Sequence, residues 1–409
     1  MLRNPTGRAR LGLALLLALL TVLGPLNIDM YLPAFPEISD DLGASASQVQ
    51  LSLTTCLVGL AVGQVVIGPI SDARGRRGPL LVCVALFVLS SALCALAPNT
   101  VILVLGRFLQ GFTASAGVVL SRAVVRDVFD GTALTRFFAL IMVVVAVAPM
   151  VAPIVGGGVL LLPSTTWRSV FWALALLGAV ILAVSAARLP ESLSVERRIP
   201  GTLGGSLRTM GALFRDRRYL GYTLIVGLLH GGSFAYVAGT PFVYQDLHGV
   251  SPQVFGFLFG VNGVGIILGS TVVGRLSDRH GERSLLAVAV VTAVAATAVV
   301  LATALLHGPL VLLVVPIFVY MTCMGVVLTA SFALAMEGQE NRAGSASSLL
   351  GALPMLIGAV VAPMVGLDET TAVPMGLLLF ASSALGLLVL VTLARPAEHS
   401  ATREADPLP

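Results

Sequence analysis

Residues 59–78 read GLAVGQVVIGPISDARGRRG, and residues 265–284 read GIILGSTVVGRLSDRHGERS. Gly59, Gly63, Gly68, Ser71, Asp72, Gly75 and Arg77 of the first stretch fall on Gly265, Gly269, Gly274, Ser277, Asp278, Gly281 and Arg283 of the second, each 206 residues further on. That offset is about half of a 409-residue chain, so the sequence reads as two related halves. In each copy an apolar helix with glycines four apart runs into a short charged loop. Gly-xxx-Gly lets two helix backbones approach closely inside a membrane. The Asp and arginines at the helix end can pair with neighbouring helix ends and with each other. A loop locked in that way can serve as a breakable latch between two conformations.

The rest of the chain supplies the membrane. Only 11% of residues are charged and 57% are hydrophobic, with a mean hydropathy of +0.98. A soluble domain carries about 25% charged residues, so one large soluble domain is excluded. A spanning helix needs about 20 predominantly apolar residues. Twelve stretches meet that length, near 11–36, 47–70, 79–97, 100–121, 134–161, 167–188, 219–244, 252–274, 284–306, 309–334, 343–366 and 372–394. The expected fold is an all-α membrane protein with twelve transmembrane helices in two pseudo-symmetric six-helix bundles. The expected organisation is a first bundle at 1–188, a cytoplasmic linker at 189–218, a second bundle at 219–395 and a cytoplasmic tail at 396–409. Part of the linker, 206–218, can form a short surface helix. Arg3, Arg8 and Arg10 ahead of LGLALLLALLTVLG resemble the start of a signal peptide. No small-x-small cleavage site follows, so this stretch reads as a retained first span.

All 24 basic residues are Arg. With the N-terminus placed inside, every Arg except Arg107 and Arg168 falls in an inner loop, the linker or a terminus. Glu37, Asp40, Asp41, Asp246, Asp368 and Glu369 fall outside. This is the positive-inside pattern, and it puts both termini in the cytoplasm of a bacterial cell. The basic balance therefore belongs to membrane topology and not to nucleic acid. Cys56, Cys83, Cys94 and Cys323 lie within apolar segments without metal-ligand spacing, and read as small core residues.

The first loop, Gly68-Pro-Ile-Ser-Asp72-Ala-Arg-Gly75-Arg76-Arg77-Gly-Pro-Leu80, resembles the loop motif G-x-L-A-D-R-x-G-R-K-x-x-L of the major facilitator superfamily, with Ala73 in place of the usual Arg. Leu103-xxx-Arg107-xx-Gln110-Gly111 is similar to that superfamily's fourth-helix motif, whose Arg is implicated in proton coupling. Asp29-Met-Tyr31-Leu-Pro33-Ala-Phe-Pro36 resembles the first-helix signature of the bicyclomycin/chloramphenicol-resistance (Bcr/CflA) drug exporters, as does Ser121-Arg122-Ala-Val-Val-Arg126-Asp127. The resemblance implies that Asp127 pairs with an arginine of the 68–80 loop. Ala148-Pro149-Met-Val-Ala152-Pro153-Ile-Val-Gly156-Gly157-Gly158 is similar to the fifth-helix antiporter motif. Its two prolines kink a helix and its glycines pack closely; its link to export comes from the family alone.

Ionisable groups inside spans are costly and mark function by default. Asp29 and Arg107 each lie about 10–12 Å below the outer interface at 1.5 Å per residue, at matched depth and with opposite charge. Pro25, Asp29 and Pro33 share a face, and Pro33 has no N–H for the Asp29 carbonyl. A carboxylate beside an unpaired carbonyl should line water or a pocket. Proton or substrate contact is expected at Asp29, Arg107, Gln110, Tyr31 and His230. The latch residues are Gly68, Asp72, Gly75, Arg76, Arg77, Asp127 and Asp278, and Pro149, Pro153, Gly156 and Gly157 carry the antiporter motif. Gln64 and Asn262 read as interhelical hydrogen-bonders. Phe234, Tyr236 and Tyr244 offer aromatic surface, and Trp167 and Trp172 read as interface anchors.

The resulting expectation is proton-coupled efflux of small amphipathic drugs or antibiotics by a monomer in the lipid bilayer. The proton gradient drives it, with no cofactor, metal or nucleic acid. A symporter or an exporter of one narrow metabolite fits the same fold. A membrane enzyme does not, because no nucleophile, metal or phosphate-binding arrangement is present.

Overall fold

The structure, a computed structural model, describes residues 7–129, 137, 147–198, 211–339, 343–368 and 370–394. The start of the expected fifth span (134–136 and 138–146), the middle of the linker (199–210) and the tail (396–409) lie outside the described residues, as do Arg3, Arg136, Arg342, Glu369, Arg395 and Arg403.

Among the described residues the chain is helical, without strands. Helices satisfy their own backbone polar groups, which lipid cannot do for them. Eleven helices are long and apolar enough to cross a membrane, and span five is described as the apolar helix Val147–Val159. Span one is broken: helix Gly7–Asp29 gives way to a 3-10 turn, Leu32–Ala34, and then to helix Phe35–Leu42. It therefore continues past the expected boundary at residue 36. Span two, Ala46–Arg74, starts from a capping box in which the Ser45 hydroxyl accepts from Gln48 N–H and the Gln48 side chain accepts from Ser45 N–H. Asn99, Asp216 and Ser251 cap spans four (Thr100–Val128), seven (Arg217–Phe242) and eight (Pro252–His280) in the same sense.

The internal repeat has a physical counterpart. Gly75 and Gly281, 206 residues apart, both have positive φ, +95° and +73°. Each turns the chain sharply from a long helix into the next one, where a side chain would be strained. A methyl group on Gly59 or Gly63 would overlap the backbone of Phe108 or Phe112 in span four. On Gly265 or Gly269 it would meet Phe318 or Thr322 in span ten, Val311–Met336. The small-residue seam between spans two and four is thus rebuilt between spans eight and ten.

The two ends of the molecule differ. The end with Arg74, Arg76 and Arg77 is the arginine end; Glu37, Asp41 and Asp368 mark the acid end. At the acid end the halves are pressed together. Ser47 Oγ donates to the Pro363 carbonyl at 2.9 Å, and Gln50 Nε2 to the Ala238 carbonyl at 3.1 Å. Phe35 and Phe242 have ring centroids 5.9 Å apart. Contact between the halves reaches inward to Gln64, beside Gly351. At the arginine end each ion pair stays within one half. Val82, Leu86, Leu89 and Leu93 of span three, Arg77–Ala95, recur every three or four residues and are exposed, as a lipid-facing stripe must be.

Candidate functional site

Arg107 stands at the centre of the first half and is fully buried. Its Nη1 donates to Asn27 Oδ1 and to Gln110 Oε1, both at 2.5 Å, and its Nη2 to the Asn27 carbonyl at 2.8 Å. That carbonyl is available because helix Gly7–Asp29 ends two residues later, and the last turn of a helix leaves its carbonyls without internal donors. The guanidinium lies 4.1 Å from the centroid of the Tyr31 ring. A second layer orients the acceptors. Gln110 Nε2 donates to Ser91 Oγ at 2.8 Å, Asn27 Nδ2 to Cys56 Sγ at 3.1 Å, and Tyr31 and Ser52 share a hydrogen bond of 3.2 Å. Spans one, two, three and four are tied together at this one cation, whose partners are all neutral. Arg107 cannot shed its proton, so the first half keeps a positive charge within it.

Asp29 points elsewhere. It follows Asn27 by two residues, about 200° around a helix, so the two side chains leave on opposite faces. Asp29 is 5% exposed and makes no ion pair or side-chain hydrogen bond among the described residues. The 3-10 turn that follows it, Leu32–Ala34, packs against spans seven and eight of the other half. Tyr236 of span seven accepts from Asn262 Nδ2 of span eight at 2.7 Å and stacks on Phe259 at 4.9 Å. The two charges expected at matched depth are therefore both buried, but they are not a pair: Arg107 is locked inside the first half and Asp29 faces the junction with the second. Tyr31 and Gln110, expected to meet substrate or proton, are buried around Arg107. His230 is half-buried in span seven and stacks on Phe234, with centroids 5.7 Å apart and planes 19° apart.

The latch residues assemble at the arginine end. Arg76 pairs with Asp72 at 2.5 Å and with Asp127 of span four at 3.0 Å, and its Nη1 donates to Ser71 Oγ at 2.7 Å. The Ser71 hydroxyl donates in turn to the Gly68 carbonyl at 2.7 Å. Arg77 reaches the Ala186 carbonyl at 2.8 Å. Sequence reasoning missed Glu191. Its carboxylate accepts from the backbone N–H groups of Arg76 and Arg77 at 2.7 and 3.2 Å, covering the start of span three, where helix amides lack partners and favour an anion. Ser192 donates to Asp127 at 3.1 Å. The only signal for this in the sequence is an acid just past span six, at a distance from its targets that the loop motif does not reveal. Asp278, the counterpart of Asp72, is exposed and makes no ion pair among the described residues.

In span five, Gly156 lies so close to the Met30 carbonyl that no side chain fits, and a methyl on Gly157 would come within 3.0 Å of the Pro252 carbonyl. Gly256 and Gly260 of span eight press on the carbonyls of Pro153 and Met150. The proline-glycine segment thus joins span one of its own half to span eight of the other. Pro149 is half-buried one turn before Pro153. Beside it, Val22, Leu26, Met30, Val151, Val155 and Leu177 line an apolar cleft of about 540 Å³. The expectation for Trp167 needs correction. It is 1% exposed, and its indole Nε1 donates to Asp41 at 2.9 Å while Glu37 accepts from its backbone N–H at 3.1 Å. The acidic helix Phe35–Leu42 folds over it; only Trp172 remains exposed.

Two related six-span halves, glycine seams and a polar centre where the halves meet define a membrane transporter, not an enzyme. The chain belongs to the Major Facilitator Superfamily, whose family model matches residues 17–363. It is 60% identical to the uncharacterized MFS-type transporter YdgK of Bacillus subtilis over 395 residues, 97% of this chain and 98% of that one. It is 32% identical over 362 residues to a bicyclomycin resistance protein homolog of Haemophilus influenzae, covering 88% and 90% of the two chains. Over 173 residues it is 34% identical to the multidrug resistance protein MdtL of Escherichia coli, 42% and 44% of the chains. Among solved structures the fold matches a D-xylose–proton symporter (TM-score 0.76, 14% identity, 94% and 98% covered) and the nucleoside transporter NupG (TM-score 0.75, 14% identity, 95% and 100% covered).

Proposed function

We propose that the chain is a proton-driven exporter of small amphipathic compounds, drugs or antibiotics of the bicyclomycin or chloramphenicol kind among them. It works as a monomer in the bacterial cytoplasmic membrane, with the arginine end and both termini in the cytoplasm. The observation that carries this reading is Asp29: a buried carboxylate at the junction of the halves, free of Arg107 and of any other ion pair among the described residues. A carboxylate paired with an arginine would hold its charge through the cycle. One facing the junction alone can take a proton when the cavity opens outward and give it up when the cavity opens inward. Drug and proton then use the junction in turn, and the imposed gradient sets the direction. Arg107 does not exchange the proton. It fixes the broken end of span one, and with it the place where Asp29 stands. The names of the relatives support drugs as the substrate class, and the proline-glycine segment of span five supports antiport.

The test is efflux of a fluorescent amphipathic dye and of chloramphenicol in an efflux-deficient host, with and without a protonophore. Resistance and efflux should vanish with the protonophore and in Asp29→Asn. Full proton-dependent efflux by Asp29→Asn overturns the role of Asp29. Accumulation instead of extrusion would make the protein a symporter, and an unchanged drug panel would leave an exporter of one narrow metabolite.

A further inference from the structure

A second internal repeat accompanies the loop motif. Val151-Ala152-Pro153-Ile154-Val155-Gly156 of span five matches Val361-Ala362-Pro363-Met364-Val365-Gly366 at the end of span eleven, Ala343–Met364, in five of six positions. The structure places both copies alike, against the first turns of the spans that carry the loop motifs. Pro153 and Gly157 meet Gly256 and Pro252 of span eight, and Pro363 and Gly366 meet Ser47 and Gln50 of span two. The two seams lie at the acid end, and each joins one half to the other.

Their chemistry differs. The span five–eight seam is bare: glycines rest on carbonyls, and no side-chain hydrogen bond crosses it among the described residues. Such a contact can slide without breaking a directional bond. The span two–eleven seam is fastened. Span eleven ends just after Pro363, which leaves that carbonyl as a helix-end acceptor, and Ser47 Oγ occupies it at 2.9 Å. Three residues on, Gln50 is 1% exposed and its Nε2 donates to the Ala238 carbonyl of span seven at 3.1 Å. A methyl on Gly366 would come within 2.6 Å of Gln50 Oε1, and that oxygen is buried without a donor among the described residues. An unpaired buried acceptor disfavours the closed arrangement, so the fastening is one that water entering the seam can release.

We infer that Ser47 and Gln50 are positioning residues of a clasp that holds the second proline-glycine copy and sets how much of the population is closed at the acid end, while the glycine seam of spans five and eight serves as the sliding counterpart. The clasp rests on the alternating-access part of the proposed function and not on proton coupling or drug identity.

The experiment places spin labels at Asp40→Cys and Leu367→Cys, exposed positions on opposite sides of the clasp, in full-length protein in nanodiscs. The four native cysteines are buried and stay unlabelled. Double electron–electron resonance should show mainly a short separation. Gln50→Met keeps the length but removes the donor, and Ser47→Ala removes the hydroxyl. Each should raise the long-separation population about three- to tenfold, the equivalent of one ordinary hydrogen bond, while Ser47→Thr leaves it unchanged. Monodisperse variants with a distribution identical to the parent, or a parent with only the long separation, overturn the clasp. Failure of Asp29→Asn to abolish efflux leaves this result standing, so the two readings fail separately.

Discussion

Span four and span ten each send one polar side chain to a backbone carbonyl at the centre of their own bundle: Arg107 to Asn27 in the first half, and Tyr320 to Leu229 at 2.6 Å in the second. The same contrast recurs at the arginine end. Arg76 is held between Asp72 and Asp127, whereas the second copy leaves Asp278 exposed and without an ion pair among the described residues. Duplicated sequence has kept the glycine seams and turns, which any such bundle needs, while the buried arginines, Arg76 and Arg107, stand in the first half. The first half is braced by buried charge, whereas the ion pair of the second among the described residues, Arg218 with Glu337, is exposed.

This contrast can be broken where it is strongest. Arg107→Leu strands the acceptors of Asn27 and Gln110 in the core, so a loss of about 1–3 kcal/mol for each stranded side chain is expected, read as a fall in detergent-solubilised melting and in efflux; Arg107→Lys, unable to span three acceptors, should fail nearly as badly. Arg76→Ala leaves Asp127 buried without its cation, and should cost about 2–4 kcal/mol. In the second loop, where Glu282 stands 206 residues on from Arg76, the neighbouring Arg283→Ala should cost less than about 0.5 kcal/mol, because Arg283 makes no ion pair among the described residues. If both arginine variants melt alike, the asymmetry of the two loops is wrong. Glu191→Gln weakens the cover over the start of span three by about 1 kcal/mol, seen as a small drop in melting temperature and faster proteolysis of the linker. Tyr320→Phe removes one neutral hydrogen bond at about 0.5–1.5 kcal/mol and should retain most efflux, which sharpens the difference from Arg107. Smallest of all, Asp278→Asn should leave melting unchanged within about 0.5 kcal/mol.

Much of this architecture is written in local pattern. Apolar length and the placement of arginines give the spans, and the 206-residue offset gives the halves. What is not local is harder to read. Asn27 looks like any amide in a span until span one is known to end at Asp29, which frees the carbonyl that Arg107 takes and turns the carboxylate away. Trp167 reads as a lipid anchor because nothing in its own segment shows that Glu37 and Asp41 fold over it. The second proline-glycine copy is hidden because its offset is 210 residues and not 206, about one helical turn more. Each is a relation between spans, fixed by which helices are neighbours and by their rotation.

The contacts of Glu191 and Ser192 also say where this chain can be cut. These residues follow span six and so resemble the beginning of a tether, yet they dock on Arg76, Arg77 and Asp127 and finish the surface of the first half. A gene divided after Arg198 hands both fragments a complete bundle, and the two pieces should reassemble when made together. Divided after Arg188, the first fragment loses its own closing piece, and the second carries a segment that belongs to its partner.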